Sequence, residues 1–436
     1  MSYGIAGIFR INQNELVQQM LQKIRHRGKF SNEIFQTDNA TLSIVYANFE
    51  SNILGERQND LNKLIPIIIK DNKLLLRRDP LGITPLYYCK INGALCFASE
   101  VKALLNITHN IKEFPPGYLY QDNTFIAQKH YQKQDSFNRL PETIAYELRM
   151  LLCHEIENKI IGNQIGAWLS GGLDSSAIVS FLSKYAKTIH TFATGLKDAP
   201  DIKFARIVVD YLKSNLQSGQ KLHHHEVIVT FQDLLKALPE VIYHLESFDA
   251  LLVRSSITNY LAAKTAAQYV SEVFSGEGAD ELFAGYEYLK TLNPLFLADE
   301  LVDIMNRLHN TTLQRVDRCA SAFGLTAQVP FVAPAVVEYA LQIPTEYKLR
   351  NNIEKWILRQ ALDNLLPDSV VNRTKAKFWQ GAGIGELISE YARKNISDPD
   401  FNKESVLPCG WQLSSKEELM YYRIFKEHFK ELTNLD

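Results

Sequence analysis

The chain is poor in cysteine: Cys89, Cys96, Cys153, Cys319 and Cys409 are five in 436 residues, an odd number with no C-x-x-C spacing. That excludes a disulfide framework and a zinc-ribbon type of site, and it suits a reducing cytosol. Long apolar runs are missing as well. The densest, Leu64 to Ile69, is broken by Pro66, and Met1-Ser2-Tyr3-Gly4-Ile5-Ala6 has no basic segment leading into an apolar one. Neither an export signal nor a membrane span is expected, and a cytoplasmic location follows. Nor is there an excess of one charge. Lys plus Arg number 47 against 49 Asp plus Glu, a net charge of −2 without any block of like sign. This argues against a dedicated nucleic-acid surface. The 20 tyrosines and 22 phenylalanines are spread along the chain rather than gathered as a stacking platform.

With 46% hydrophobic and 22% charged residues, the composition is that of a globular protein, and the length predicts two packed domains. Residues 40 to 128 alternate short extended pieces, at 41–46, 74–76, 85–88 and 94–98, with turn formers such as Asn92-Gly93 and Pro115-Pro116-Gly117. From Glu142 to Leu152 the apolar spacing becomes helical, so the boundary falls in the polar stretch 132–138, dividing the chain into units 1–128 and 139–436. Beyond it, a strand at 165–169, a helix at 175–185 and a strand at 188–194 make a β-α-β unit, hence an α/β fold with a parallel sheet. Further strands are expected at 225–230 and 269–274, helices at 231–245 and 255–267, and mostly helices after 298.

The most informative segment is Leu169-Ser170-Gly171-Gly172-Leu173-Asp174-Ser175-Ser176. Two glycines allow close backbone approach and hydroxyls open the next helix, whose free N–H groups form an anion site suited to phosphate. Ser275-Gly276-Glu277-Gly278-Ala279-Asp280-Glu281 repeats the grammar after the strand ending Val273-Phe274. In a parallel sheet both loops leave the carboxyl ends of strands and face one crevice. There Asp174 and Asp280, hard oxygen donors, would share Mg²⁺ on a triphosphate. The triple His223-His224-His225 is not read as a metal site, because consecutive strand residues alternate faces.

Both loops resemble the two signatures of the asparagine synthetase family. The resemblance extends through Gly4-Ile5-Ala6-Gly7-Ile8-Phe9, Arg25-His26-Arg27-Gly28, Arg78-Asp79-Pro80-Leu81-Gly82-Ile83, Ala98-Ser99-Glu100-Val101-Lys102-Ala103-Leu104, Glu354-Lys355 and Arg373-Thr374-Lys375. It implies an ATP-pyrophosphatase-like synthetase domain with a helical carboxy-terminal part, following an amino-terminal unit similar to an N-terminal-nucleophile amidohydrolase. The activity implied is that of an ATP-dependent ligase: a carboxylate is adenylated, pyrophosphate leaves, and ammonia or an amine attacks to give an amide and AMP. By the same resemblance Ser170, Gly171, Gly172, Asp174, Ser175 and Ser176 hold pyrophosphate, with Mg²⁺ on Asp174 and Asp280. Leu169, Thr194, Gly195, Ser275 and Gly276 border the nucleotide. Lys375 neutralises charge at the α-phosphate, Arg254 holds a carboxylate or phosphate oxygen, and Glu277 receives a proton or fixes the incoming nitrogen. The partners implied are a small-molecule or peptide carboxylate and an amine, and a homodimer is compatible with the family.

The chain also departs from the family. Glutamine-dependent members carry a cysteine where Tyr3 stands, and a segment that holds glutamine is missing between Val45 and Arg78. Residues 1–128 are therefore read as a shortened, inactive amidotransferase-like unit, with glutamine unused. Leu251 and Leu252 stand where threonines are usual, which makes the acyl pocket more apolar than an aspartate site. The alternatives are an intramolecular ligase, similar to lasso-peptide cyclases or β-lactam synthetases, and a nucleotide-binding pseudoenzyme or scaffold.

Overall fold

The computed structural model describes residues 3–28, 30–31, 35–37, 40–46, 67–70, 73–374 and 378–433. Its centre is a five-stranded parallel sheet: β1 (Gln164–Trp168), β2 (Thr188–Gly195), β3 (Lys221–Ile228), β4 (Glu272–Phe274) and β5 (Thr326–Gln328), in the spatial order β3-β2-β1-β4-β5. The order reverses between β1 and β4, the position at which a parallel sheet leaves a crevice at the carboxyl ends of its strands. Helices cover both faces, as a buried parallel sheet requires. The apolar side chains of β1 show the division. Ile165 and Ala167 join the core with α1 (Pro141–Lys159), α2 (Leu173–Tyr185) and α3 (Pro200–Ser214), whereas Trp168 packs with Ala262, Ala263 and Ala266 of α5 (Ala250–Ala266).

Local signals explain most boundaries. Helix α4 (Phe231–Leu245) opens on a capping box in which Thr230 and Asp233 satisfy each other's backbone N–H groups. Helix α5 starts five residues before the expected Ser255 because Asp249 caps it, accepting from the Leu252 N–H at 2.7 Å. Strand β4 is correspondingly shorter than expected, since Tyr269 and Val270 donate back to Ala266 and finish the helix. In this parallel-sheet unit neither α3 nor β5 is expected from sequence, and the three residues of β5 are too few to carry a period.

The amino-terminal unit stacks two antiparallel sheets. In one, Tyr3–Phe9 lies between Ala40–Tyr46 and Ala94–Ala98; the other runs Thr124–Ala127, Tyr118–Gln121, Lys73–Arg77, Ile67–Lys70. Ile5, Leu42, Leu74, Leu76, Phe97, Phe114 and Tyr120 form one core, and a helix at Asn14–Lys23, unexpected from sequence, packs on the opposite face of the first sheet. Residues 128–140 contain no helix or strand. The two units share buried contacts, for Leu81 and Tyr131 belong to the core that surrounds α1 and α2. Among the described residues no helix is long and apolar enough to cross a membrane.

Candidate functional site

A cavity of about 720 Å³ opens over the carboxyl ends of β1, β2 and β4. On one side lies the turn from β1 into α2, which is knotted by its own serines. The Ser170 and Ser175 hydroxyls are 3.1 Å apart, Ser175 Oγ donates to the Gly172 carbonyl at 3.2 Å, and Gly172 N–H donates to Ser170 Oγ at 3.3 Å. Gly171 has φ +67°, and any Cβ there would lie 2.4 Å from Phe204, so only glycine fits. The loop after β4 arrives from the other side. A Cβ on Gly276 would lie 2.9 Å from the Asp174 backbone, so the two loops touch.

This contact brings Asp174 and Asp280 together. Both carboxylates lie 2.5 Å from one ammonium, Lys355 Nζ, whose side chain is 4% exposed. Burial alone would lower the pKa of that ammonium, but Asp174 and Asp280 outweigh it and hold the group above the ordinary lysine value. Two carboxylates converging on one cation at a helix N-terminus form a hard-oxygen donor pair, and these residues fit a divalent ion. Nothing local in the sequence marks Lys355 as a site residue: its partner Asp174 is 181 residues away, a separation no local pattern spans.

Arg373, which also lines the cavity, braces the turn 170–176. It donates to the Ser170 carbonyl at 3.0 Å and to Asp201 at 2.7 Å, and its guanidinium lies 4.1 Å from the Phe204 ring centroid. Burial pushes the Asp201 carboxyl up to about 6 against the opposing pull of Arg373.

Leu169, Ser170, Gly172, Asp174, Ser175, Thr194, Ser275, Gly276, Glu277 and Asp280, all singled out from sequence, line this single cavity. Gly171, Ser176 and Gly195 stand outside its lining. Thr194 Oγ1 has no hydrogen-bond partner among the described residues and faces the cavity. Glu277 accepts from Arg315 Nη2 at 2.6 Å and from the Ser275 hydroxyl. One face of α5 supplies Leu251, Leu252, Ser255, Thr258, Asn259 and Ala262 to the wall, and Trp168 and Phe192 of the sheet lie across from it. Thr258 Oγ1 and Asn259 Nδ2, both buried, have no partner among the described residues.

Two expected site residues stand differently. Arg254 is off the cavity face of α5: its guanidinium is taken by Glu417 of α7 (Lys416–His428), at 3.0 Å for Nε and through a second contact from Nη2. Arg254 is thus a brace between helices here, because a buried carboxylate of the chain already claims it. Lys375 lies outside the described residues; Thr374 before it lines the cavity.

The histidines of β3 disperse. His224 hydrogen-bonds Thr191 at 2.9 Å, His225 hydrogen-bonds His190 at 3.0 Å, and His223 stacks on His190. Among the described residues no three His, Cys, Asp or Glu side chains are grouped to hold a metal.

Comparison with known proteins gives the following matches. A family model described as asparagine synthase matches residues 162–300 and 291–434, and one described as a glutamine amidotransferase domain matches residues 64–106. Asparagine synthetase [glutamine-hydrolyzing] 2 of Lotus japonicus is 32% identical over 387 residues, which are 83% of this chain and 64% of that protein. Asparagine synthetase B [glutamine-hydrolyzing] of Escherichia coli K12 is 33% identical over 399 residues, 85% of this chain and 71% of its own. The chain thus spans about two thirds of the length of these relatives. Among solved structures, NMN synthetase from Francisella tularensis overlaps 68% of this chain and 97% of its own at 13% identity and a TM-score of 0.31.

Proposed function

The chain belongs to the asparagine synthase family, and from that premise we propose that it is an ATP-dependent, AMP-forming amide ligase that does not use glutamine. The observation that carries this reading is the convergence of Asp174 and Asp280 on one point between two strand-to-helix turns at the reversal of the sheet. ATP transfers its adenylyl group to a carboxylate and releases pyrophosphate. Ammonia or an amine then attacks the acyl carbon, AMP departs, and the nitrogen loses a proton.

In this reading the turn 170–176 and the N-terminus of α2 hold the pyrophosphate, and Leu169, Thr194 and Gly276 border the adenosine. Asp174 and Asp280 would hold Mg²⁺, which supplies charge neutralisation on the phosphates. Lys355 keeps the two carboxylates paired, and Lys375 adds positive charge at the α-phosphate, where it counts most in the transition state. Glu277 takes the proton from the attacking nitrogen. The Leu251 and Leu252 wall, facing Trp168 and Phe192, favours an acyl donor less polar or larger than aspartate. Tyr3 in the place of the thiol nucleophile supports a unit of residues 1–128 that does not hydrolyse glutamine, since a phenol is protonated at neutral pH.

The test is pyrophosphate release with pooled amino acids as carboxyl donors, supplied with either ammonium or glutamine. ATP- and ammonium-dependent release is expected, without glutamate from glutamine, and Lys375→Met should slow it by ~10²-fold. Stoichiometric glutamate and AMP formation would overturn the glutamine-independent reading. Turnover without any ammonium requirement would shift it toward an amine carried by the substrate itself.

A further inference from the structure

Helix α6 (Thr312–Ser321) has two working faces. Thr312, Gln314 and Arg315 line the cavity, and Arg315 grips Glu277. Two and three residues further on, Asp317 and Arg318 enter a buried charge network with the amino-terminal unit. Arg27 Nη2 donates to both Asp317 oxygens at 2.8 and 2.9 Å, and Arg27 Nη1 donates to Glu100 at 2.8 Å and to the Ser321 hydroxyl at 3.1 Å. Arg318 reaches Glu100 at 3.0 Å and Glu246 at 2.9 Å. Lys102 Nζ lies 2.5 Å from Glu100, and Glu246 accepts the N–H groups of Val101 and Lys102 at 2.9 and 2.7 Å. The side chains of Arg27, Glu100 and Arg318 are 0% exposed. Burial alone would lower the pKa of the Arg27 guanidinium, but Asp317 and Glu100 outweigh it and hold the group above its ordinary value.

We propose that Arg27 is a positioning residue for the amide-forming step: it locks α6 in the register at which Arg315 holds Glu277. The inference rests on the ligase reading for the role of Glu277. Three cations and three carboxylates buried together are a poor way to hold two units by energy alone, since desolvation consumes much of the attraction and an apolar seam would serve as well. What such a network does supply is one geometry, because any slip leaves a buried charge unpaired. The cavity and this network share one short rigid helix, so displacing Asp317 moves Arg315 with it. A carboxylate that must meet an incoming nitrogen is sensitive to shifts of an ångström. On this view residues 1–128 act as a clamp on the synthetase site.

The experiment compares wild type with Arg27→Lys, Arg27→Met, Arg315→Met and the double variant, with pooled amino acids, ATP, Mg²⁺ and ammonium. Pyrophosphate release and amide formed are both measured, and ATP affinity is followed by fluorescence of Trp168, which lines the cavity. Arg27→Met should leave ATP affinity and pyrophosphate release near wild type, yet lower amide per pyrophosphate by about 10-fold as adenylate is lost to water. Arg27→Lys should recover part of the ratio, and the double variant should be no worse than Arg315→Met. A parallel fall in both products, an unchanged ratio, or additive losses in the double variant would overturn the proposal. Should Arg27→Met fail to fold, Asp317→Asn, which removes charge at constant shape, replaces it under the same criteria. Amide hydrogen exchange gives a readout that needs no turnover. Residues 275–282 and 312–321 should exchange faster in Arg27→Met, and unchanged exchange over 275–282 overturns the link. A wild type that releases no pyrophosphate would instead sink the ligase reading, and the exchange measurement alone would then decide the coupling.

Discussion

Gly276 sits so close to Asp174 that a methyl group on it would lie 2.9 Å from both the carbonyl carbon and the Cβ of Asp174. The turn 170–176 and the acidic loop 275–281 therefore lock against each other, and the spacing of the two carboxylates depends on that contact.

Gly276→Ala should separate the loops. Pyrophosphate release is expected to fall at least about tenfold, because the groups around the triphosphate lose alignment. Global stability should drop by only about 1–3 kcal/mol, the usual cost of overpacking. Urea unfolding alongside the release assay separates the two; a variant with full activity would show that the loops do not need this contact.

Lys355→Met leaves Asp174 and Asp280 facing each other without their cation. Breaking such a partly buried set by removing one partner should cost about 3–5 kcal/mol in metal-free buffer. Millimolar Mg²⁺ should restore much of that loss, since an ion bound only by the folded chain stabilises it by mass action. Wild type should gain less, its ammonium already occupying the point of convergence. Denaturant midpoints with and without Mg²⁺ check this; equal responses would show that Lys355 does not compete with the ion, and no response in either protein would remove the two aspartates as its ligands.

The interface of the two units should weaken in acid. His244 packs 4.5 Å from His26, and burial, with His26 and Lys102 nearby, pushes it down to about 3. Between pH 6.5 and 3 the unfolded chain binds a proton at this position that the folded chain does not. Stability from a neutral His244 is therefore fully present above about pH 6.5 and is lost as pH falls toward 3. His244→Phe should flatten the midpoint-versus-pH curve across that window relative to wild type; identical slopes would show that His244 does not drive the acid response.

Leu251 and Leu252 both line the cavity and bring no hydroxyl to it. Free aspartate should be adenylated poorly, and Leu251→Thr with Leu252→Thr should improve it by roughly 10-fold, the scale of one or two pocket contacts. Pyrophosphate release with aspartate as the sole carboxyl donor measures this. Efficient use of aspartate by wild type would refute the apolar-pocket reading.

What the sequence by itself determined was local. The glycines and serines of 170–176 and 275–285 dictate tight turns between strand and helix, and the strand, helix and strand patterns of 165–194 announce parallel α/β structure, because these signals act over a few residues. Such signals stop at the ends of an element. Strand β5 is too short to carry a period, and Arg254, expected at the substrate, turns out to pair with Glu417, 163 residues away. Lys355 meets Asp174 across 181 residues, and Arg27 meets Asp317 across 290. A lysine or arginine carries no local mark of its partner, since its charge can be matched by any carboxylate that folding brings within reach. Only the tertiary structure decided which ones were, and with them the alignment of Asp174, Asp280 and Glu277 around one cavity.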